Sequence, residues 1–471
     1  MMKVTISNNI IIEDPNTEVY MWAVDNLTVR NPVYQQLKIA GKEDTIRRRR
    51  VPEFLALYSM VYNLLIIPFG TLRTVWPMIK DCDVKLKFNS AANISVRNDK
   101  PVFNLYDYQE KAVDFMIKQK GGVLQAPCGS GKTIMGIEMI RRIGKRALWL
   151  CHTGDLLRQA KSDMLELYPN MKIGMTTEGK LEIGEDVTIS TIQTLEKIDP
   201  QLYINQFDVV ICDECSHVAG APTQMKMFQK VISQIPARYK YGLTATPARS
   251  DKMTKAMYAY IGCNKDGDFE PTYKISKNDV NTIPSTHKRI DMYSGYDGRK
   301  ILEIVDTSGM MEYSRLITSL SENKERTMKI IDQVVECNKE GRKQVVLSLR
   351  VDHCKEIAKE LENRGVKVEL VTGKTTSDKK REAVLKQKVD WDVIVSTYSL
   401  LKEGVSIKEL DTLHLATPIK DKGMIVQCAG RIERYLPNKK EPIVYDYVDI
   451  DIPYCEKRYV DRRRALKNRF Y

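Results

Sequence analysis

With 471 residues, the chain is too long for a single hydrophobic core and is expected to form about three domains. Hydrophobic residues make up 43% of the sequence and charged residues 29%, a balance typical of soluble globular proteins. The formal net charge of +13 favours nucleic acid as a partner, because a positive surface attracts polyanions. The alternative is that the excess positive charge serves only solubility.

Targeting and metal-binding signals are absent from the sequence. Residues 1–16 contain no basic region followed by a long apolar run, so we expect no secretory signal. The most apolar segment, residues 64–69, is too short to span a bilayer, so no membrane partner is expected. Ten scattered cysteines favour a reducing, cytoplasmic location. Cys212 and Cys215 have no second pair at zinc-finger spacing, so no zinc site is predicted.

The N-terminal residues 1–98 mix short strand and helix patterns and predict a small α+β accessory domain. Their most distinctive feature is a run of four arginines. Arginine favours bidentate contact with phosphate, although a short basic run is equally typical of a solvated loop. The residues predicted to contact nucleic acid are Arg47, Arg48, Arg49 and Arg50.

From residue 103 onwards the sequence changes to regular α/β alternation, starting with the helix pattern FNLYDYQEKAVDFMIK. Tyr106 and Gln109 lie at its start, about 20 residues ahead of a glycine-rich loop. An aromatic ring can stack on adenine while an amide binds its Hoogsteen edge. We therefore predict that Tyr106 and Gln109 bind the base of a nucleotide; simple packing is the alternative.

The stretch 121–133, GGVLQAPCGSGKT, combines an apolar strand, a turn of small residues and the start of a helix. Small residues let backbone N–H groups face an anion, and the helix N-terminus adds partial positive charge, so the pattern predicts a triphosphate cradle. Lys132 is expected to contact the β and γ phosphates as a catalytic residue, and Thr133 to bind Mg²⁺. The predicted nucleotide-binding residues are Pro127, Cys128, Gly129, Ser130, Gly131, Lys132 and Thr133.

Two later apolar strands, RALWLC and VTIST, each end in a polar turn that precedes a helix. The carboxyl ends of parallel strands are where ligands bind, and small polar side chains suit phosphate oxygens. The two turns resemble the backbone-binding motifs of superfamily 2 helicases, and this resemblance implies contacts with a nucleic-acid backbone from His152, Thr153, Thr191 and Gln193.

The segment FDVVICDECSHVAG places two carboxylates directly after a buried strand, roughly 80 residues beyond the phosphate loop. Asp213 is predicted to hold Mg²⁺, and Glu214 to polarise the water that attacks the γ-phosphate. The next such strand, YKYGLT, leads into Thr244-Ala245-Thr246. Hydroxyls on a small turn can change partners, which suits Thr244 and Thr246 as coupling residues.

A second α/β series follows a polar stretch and repeats the strand and helix alternation without a phosphate loop, which suggests a duplicated unit. In the stretch WDVIVSTYSLLKEGVSI, Thr397 and Gly404 resemble part of a superfamily 2 helicase motif, and this resemblance implies that Thr397 contacts nucleic acid and Gly404 the nucleotide. In MIVQCAGRIERYLPNK, the side chains of Gln427, Arg431 and Arg434 are expected on one helix face, at i, i+4 and i+7. The pattern Q-x-x-G-R-x-x-R resembles a motif of the superfamily 2 helicases, and this resemblance implies that these three residues are catalytic and that the arginines stabilise charge on the γ-phosphate.

In order and spacing, these motifs resemble those of the superfamily 2 helicases across residues 103–450. The N-terminal LIIPFGTL element resembles that of the group that includes XPB and the UvsW-type phage helicases. One departure is Ser216 in the fourth position of D-E-x-H, with the histidine one place later as His217; both are predicted to couple the ATPase to the second domain.

The resemblance implies an α/β fold of two tandem RecA-like parallel-sheet domains with a small N-terminal α+β accessory domain. It implies a DNA-dependent ATPase that uses ATP and Mg²⁺ to move on, unwind or remodel duplex, forked or branched DNA. We expect the protein to be a monomer. An RNA-dependent helicase and an ATP-gated clamp that does not unwind remain as alternatives. The expected boundaries are 1–98 for the accessory domain, 99–262 for the ATP-binding domain, 263–310 for a linker, 311–455 for the second domain and 456–471 for a basic tail.

Overall fold

The computed structural model describes residues 2–127, 129–176, 180–218, 222–247, 253–280, 282–295, 304, 312–372, 390–398 and 407–467. It divides into two compact units, Met1–Ser276 and Lys277–Tyr471. Within the described ranges, no helix combines the length and the apolar composition needed to cross a membrane.

The first unit opens with an α+β region whose five-stranded sheet has the order β5-β6-β2-β1-β7. Only the β1–β7 pair is parallel in this sheet, and β3 pairs with β4 separately. Alternate residues of β2 are buried, as expected for a strand with one face on a core. The elements are β1 (Lys3–Ile6), β2 (Asn9–Glu13), α1 (Thr17–Leu27), β3 (Thr28–Arg30), α2 (Pro32–Ile39), α3 (Glu43–Arg49), β4 (Phe54–Ala56), β5 (Ser59–Val61), β6 (Leu64–Pro68), α4 (Leu72–Ile79) and β7 (Asp83–Leu86).

A seven-stranded parallel sheet forms the rest of this unit, in the order β10-β11-β9-β12-β13-β8-β14. Its central strands are fully buried because helices cover both faces. The strand β13 lies between β8 and β12, and all three are parallel. The segments that follow these strands therefore meet at the carboxyl ends of the strands. The elements are α5 (Asp107–Gln119), β8 (Gly121–Gln125), α6 (Lys132–Ile143), β9 (Ala147–Cys151), α7 (Gly154–Leu167), β10 (Ile173–Met175), β11 (Val187–Thr191), α8 (Ile192–Leu195), β12 (Val209–Cys212), α9 (Cys215–Val218), α10 (Pro222–Ile232), β13 (Tyr239–Thr244), α11 (Thr254–Ile261) and β14 (Tyr273–Lys274).

The LIIPFGTL element joins the α+β region to the parallel-sheet region. A Cβ atom on Gly70 would lie 2.5 Å from the carbonyl oxygens of Tyr258 and Ala259, so only glycine permits this approach to α11. The Gly70 carbonyl accepts a hydrogen bond from the Cys263 N–H at 2.9 Å. Arg73 donates to the carbonyl oxygen of Gly121 at 3.1 Å, directly at the start of β8. The LIIPFGTL element therefore attaches the α+β region to the phosphate-loop strand.

The second unit contains a six-stranded parallel sheet in the order β15-β20-β19-β16-β18-β17. This sheet and the first confirm the predicted fold class of two tandem parallel-sheet domains behind a small α+β region. The elements are β15 (Thr286–Met292), α12 (Tyr313–Glu322), α13 (Lys324–Lys339), β16 (Gln344–Ser348), α14 (Val351–Asn363), β17 (Val368–Val371), β18 (Val393–Thr397), β19 (Thr412–Leu415), α15 (Lys422–Ile432), β20 (Ile443–Asp449) and α16 (Pro453–Lys467).

Two segments of this unit are more specific in the structure than in the sequence prediction, which gave a linker with some strands and a basic tail. The stretch expected to be a linker contains β15, a polar edge strand that pairs with β20 over its whole length, from Thr286–Ile443 to Met292–Asp449. The stretch expected to be a basic tail is largely α16, which is anchored by a buried arginine, Arg462. The charged composition of β15 and α16 makes both elements hard to predict, because exposed edge strands and arginine-rich helices have weak hydrophobic periodicity.

Candidate nucleotide and nucleic-acid site

The phosphate loop lies between β8 and α6, as the sequence predicts, and Cys128 within it lies outside the described residues. Gly131 has a left-handed backbone with φ of 76°, and a Cβ atom there would lie 2.4 Å from Nε2 of Gln109. Ser130 is fully buried, and its Oγ has no hydrogen-bond partner among the described residues. A buried hydroxyl beside a glycine turn and a helix N-terminus fits an anionic ligand.

The residues predicted to bind adenine are tied to this loop. Gln109 Nε2 donates to the carbonyl oxygen of Ser130 at 2.8 Å, while its Oε1 accepts from the backbone N–H of Tyr106 at 2.9 Å. Tyr108, which the sequence reasoning missed, donates its hydroxyl to the same Ser130 carbonyl at 3.0 Å and stacks against Tyr106. The sequence signal for Tyr108 was the pair of tyrosines at alternate positions of the LYDYQ stretch.

Lys132, Asp213 and Glu214 converge at the edge where β8, β13 and β12 end. Lys132 Nζ lies 3.7 Å from Oε1 of Glu214 and 3.4 Å from the carbonyl oxygen of Ala126. Both Lys132 and Asp213 are buried, with 8% and 5% of their surface exposed. Burial raises the pKa of Asp213 to about 7, the Glu214 carboxylate acts in the same direction, and Lys132 opposes both. The site thus holds two carboxylates and one ammonium with little water around them.

Glu214 has an unusual backbone for a non-glycine residue. Its φ is 46°, in the left-handed region, where an L-residue costs about 1–3 kcal/mol. The N–H of Glu214 donates to Oδ1 of Asp213 at 3.0 Å, which orients the Asp213 carboxylate against the Glu214 backbone. Strain of this kind is typical of functional sites.

The predicted coupling residues are also adjacent. Ser216 Oγ lies 3.0 Å from Thr244 Oγ1, and the same Thr244 oxygen accepts from the Thr246 N–H at 3.2 Å. Nothing is described of the His217 side chain. The hydroxyl of Ser216 therefore already makes the link between the carboxylate segment and the Thr244 segment.

The polar turns after β9 and β11 lie next to each other because these strands are neighbours. Thr153 Oγ1 accepts from the Leu156 N–H and Thr191 Oγ1 from the Thr194 N–H, each at 3.3 Å, so both hydroxyls cap helices. Gln193 Nε2 donates to the carbonyl oxygen of His152 at 3.2 Å and joins the two turns. Two helix N-termini at one sheet edge can bind the phosphates of a nucleic acid.

The arginine run lies on the surface of the α+β region. Arg47, Arg48 and Arg49 form the last turn of α3, and Arg50 follows in the left-handed conformation with φ of 48°. All four are exposed, and no described carboxylate pairs with them. Their guanidinium groups are accessible to solvent.

In the second unit, Gln427 and Arg431 lie on α15, but Arg434 does not. The helix ends at Ile432, and Arg434 forms an isolated antiparallel bridge with Thr282. The predicted placement of Arg434 on the same helix face, at i+7, is therefore wrong. Thr397 is the last residue of β18, and Gly404 lies outside the described residues.

Glu433, directly after the end of α15, is held by an earlier segment of the chain. Its carboxylate accepts hydrogen bonds from the N–H and the hydroxyl of Ser285, at 3.1 and 2.7 Å, and its carbonyl oxygen accepts from the Ile283 N–H at 2.9 Å. A buried carboxylate requires such partners. These contacts hold the chain beside the segment that precedes β15, which the sequence analysis treated as a linker.

Two protein-family models match the chain. Residues 102–249 match the type III restriction enzyme res subunit, and residues 325–435 match the helicase conserved C-terminal domain. The first range contains the phosphate loop and the carboxylates, and the second contains Arg431 and Arg434. Together they include more than half of the chain.

Similar proteins include helicases from viruses and eukaryotes. A putative ATP-dependent RNA helicase of Acanthamoeba polyphaga mimivirus is 27% identical over 364 residues, which cover 77% of this chain and 66% of that protein. The helicase/translocase subunit XPB of general transcription and DNA repair factor IIH from Enterocytozoon bieneusi is 28% identical over 214 residues, 40% of this chain and 34% of XPB. The chain thus spans just under two thirds of the first relative's length and about a third of the second's.

Among solved structures, S. cerevisiae Dbp5 bound to RNA and ADP BeF3 resembles the chain with a TM-score of 0.54. The two share 14% identity, and the match covers 77% of this chain and 87% of Dbp5. At this identity the likeness concerns the fold, which is that of tandem RecA-like domains.

Proposed function

Because the chain belongs to superfamily 2 of the helicases, we propose that it is an ATP-dependent DNA helicase or translocase, which couples ATP hydrolysis to movement on duplex or branched DNA and to its unwinding or remodelling. The XPB relatives, named as DNA repair helicase/translocase subunits, favour DNA as the nucleic acid.

The observation that carries this proposal is the convergence of Lys132, Asp213 and Glu214 beside the buried hydroxyl of Ser130. An ammonium, two carboxylates and a glycine turn are the donor set that a nucleoside triphosphate with Mg²⁺ requires. Thr133 and Asp213 would hold the metal, and the backbone of the phosphate loop would hold the phosphates.

When bound, Mg²⁺ and ATP supply a neutralised triphosphate whose γ-phosphorus water can attack. Glu214 would accept the proton of that water on its carboxylate. Lys132 would neutralise charge on the phosphates, and Arg431 and Arg434 of the second unit would stabilise charge in the transition state. Gln109 and Tyr106 would orient the base.

Binding to nucleic acid would use the turns after β9 and β11, together with Arg47 to Arg50. These groups offer backbone N–H donors, small hydroxyls and guanidiniums, which bind phosphate and carry no sequence information. We therefore expect binding that is independent of sequence and weakens as salt rises.

The experiment measures ATP hydrolysis with single-stranded DNA, duplex, fork, four-way junction and RNA, and in parallel the displacement of a labelled strand from the fork. Wild-type protein is expected to hydrolyse ATP faster with DNA and to displace the strand. Glu214→Gln should lower turnover by about 10²- to 10⁴-fold, as expected for loss of a general base. Glu185→Gln, an exposed glutamate of the same unit, is the matched control and should leave turnover unchanged.

An RNA-dependent helicase is the second candidate, because the mimivirus relative is named a putative RNA helicase. Greater stimulation of ATPase by RNA than by any DNA would favour it. ATP hydrolysis without strand displacement from any substrate would instead favour a clamp that does not unwind. A protein that hydrolyses no ATP with any polynucleotide would overturn all three.

A further inference from the structure

The last helix of the described chain, α16, has one exposed face made of cations. Its exposed positions fall on one stripe because α-helices repeat every 3.6 residues. Lys457, Arg463, Arg464 and Lys467 occupy this stripe around the apolar Val460. No described carboxylate forms an ion pair with these four cations.

The opposite side of α16 is fixed to the second sheet. Arg462 is 1% exposed and donates to both carboxylate oxygens of Asp446 in β20, at 2.8 and 2.7 Å. Cys455 and Leu466 are buried beside it, and the helix packs against α15. The cationic stripe is therefore held rigidly, and it is supported by the helix that carries Arg431.

The acids of α16 do not offset this charge. Glu456 accepts from Arg289 Nη1 at 3.1 Å, and Asp461 accepts from Arg458 Nη1 at 3.0 Å. Each carboxylate is thus already neutralised by a cation outside the stripe.

The exposed face of α14 shows what an ordinary solvated helix of this unit looks like. It mixes both signs, and Lys355 donates to Asp352 at 2.9 Å. The exposed charged residues of α14 are Asp352, Lys355, Glu356, Lys359 and Glu362. A face that serves only solubility would be mixed in the same way; the stripe on α16 is of one sign.

We propose that the exposed face of α16, formed by Lys457, Arg463, Arg464 and Lys467, binds the phosphodiester backbone of the nucleic acid. The proposal rests on the proposed function and adds a surface to it. The stripe extends over about 15 Å at 1.5 Å per residue, a distance over which one strand presents roughly four phosphates. Four cations thus meet a similar number of phosphates.

The test compares wild-type protein with the double variant Arg463→Gln/Arg464→Gln, without nucleotide, using labelled single-stranded DNA, the same duplex and single-stranded RNA. Affinity is measured between about 50 and 200 mM KCl. Loss of two phosphate contacts should reduce the slope of log affinity against log salt by about 1.4 for a single strand and about 1.8 for duplex. At the lowest salt, affinity should fall about three- to tenfold.

Two further variants make the result specific. Lys355→Gln/Lys359→Gln removes the same charge from α14 and should leave the slope unchanged. Arg463→Lys/Arg464→Lys keeps the charge and should keep most of the slope. The unfolding temperature should match wild type because all these side chains are exposed; if Arg463→Gln/Arg464→Gln unfolds early, Lys457→Gln/Lys467→Gln replaces it.

An unchanged slope in a folded Arg463→Gln/Arg464→Gln variant overturns the inference while the helicase proposal stands. An equal reduction of the salt slope in Lys355→Gln/Lys359→Gln also overturns the inference, since the overall positive charge of the protein would then explain the effect. Vesicles of phosphatidylserine and phosphatidylcholine form the last arm: binding to them that depends on the stripe, with unchanged DNA and RNA binding, would replace nucleic acid by a lipid surface. Wild-type protein that binds no nucleic acid and hydrolyses no ATP removes both proposals together.

Discussion

Two buried aspartates, one in each unit, have opposite electrostatic environments. Asp213 follows β12 and lies beside Glu214, with Lys132 as the nearby cation, and its pKa is raised to about 7 by burial and by Glu214. Asp446 lies within β20, and although burial acts to raise its pKa, Arg462 and His287 hold that pKa below its ordinary value. Both aspartates are buried. Cations of the folded chain balance the charge of Asp446, whereas the charge of Asp213 is balanced only in part.

This difference distinguishes Asp446, whose charge stabilises the fold, from Asp213, whose charge we propose serves binding or catalysis. The two guanidinium hydrogen bonds to Asp446 and its contact with His287 Nε2 at 3.2 Å compensate the cost of burying its charge within the folded chain. At Asp213 the cost is only partly compensated, and a cation that binds there would compensate the rest. A carboxylate left in this condition at a strand end is typical of a metal-binding or catalytic position.

The largest expected effect comes from Asp446→Asn. This change leaves the guanidinium of Arg462 buried without its carboxylate, and we expect the free energy of unfolding to fall by about 3–5 kcal/mol. Thermal unfolding of the nucleotide-free protein measures this loss. Because the pKa of Asp446 is lowered, its contribution is present above the ordinary value of 3.8 and is lost as pH falls through the lowered pKa.

Asp461→Asn is the matched control for this change, since it breaks a more exposed pair with Arg458 on the same helix. Its cost should stay below about 1 kcal/mol. If Asp446→Asn were no more destabilising than Asp461→Asn, the description of Asp446 as a structural charge would be wrong.

The second prediction concerns Asp213→Asn in the absence of nucleotide and metal. Because burial raises the pKa of Asp213, its contribution to stability is fully present below 3.8 and is lost as pH rises through about 7. Asparagine does not ionise and avoids this loss. The variant should therefore become more stable than wild type as pH rises from about 4 to 7, by about 1–3 kcal/mol at pH 8, while losing ATPase activity.

Thermal unfolding of both proteins across this pH range measures the difference. Asp266→Asn, at an exposed turn, serves as the control and should show no trend with pH. A constant difference between Asp213→Asn and wild type would show that the Asp213 carboxylate is already compensated, and the contrast with Asp446 would disappear.

The Asp213 environment could be predicted from the sequence, whereas that of Asp446 could not. Paired acids after an apolar strand, and a glycine turn before a helix, are local patterns in which spacing alone fixes the geometry. The partners of Asp446 are 16 residues ahead and 159 residues behind in the chain, so only the folded sheet and α16 bring them together. The family comparisons confirmed the predicted helicase superfamily. That prediction rests on local patterns such as the paired acids and the glycine turn.

The end of α15 illustrates the same limit. Helical spacing predicted Gln427, Arg431 and Arg434 on one face, but Glu433 bonds to Ser285, 148 residues away, and the helix ends before Arg434. The strand β15 that follows Ser285 has a mixed polar pattern, and the sequence predicts there a linker with some strands. Several long-range contacts thus accompany the end of a helix that local periodicity predicts to continue.

The smallest expected effect is that of Ser216→Ala, which tests whether the Asp213 side of the comparison includes a coupling element. The change removes the hydroxyl 3.0 Å from Thr244 Oγ1 while leaving Asp213 and Glu214 in place. One hydrogen bond is worth about 0.5–1.5 kcal/mol, so the rate of strand displacement should fall about three- to tenfold, with ATPase activity within about threefold of wild type.

The ratio of strand displacement to ATP hydrolysed, measured on one fork substrate, separates coupling from chemistry. Ser162→Ala, on the exposed side of α7, is the matched control and should leave the ratio unchanged. Thr244→Ser retains the hydroxyl and should retain most of the ratio, whereas Thr244→Val also removes the acceptor of the Thr246 N–H and should lower the ratio at least as far as Ser216→Ala. If Ser216→Ala lowered ATP hydrolysis and strand displacement equally, the hydroxyl pair would act on the Asp213 site itself, because a coupling residue must change one rate without the other.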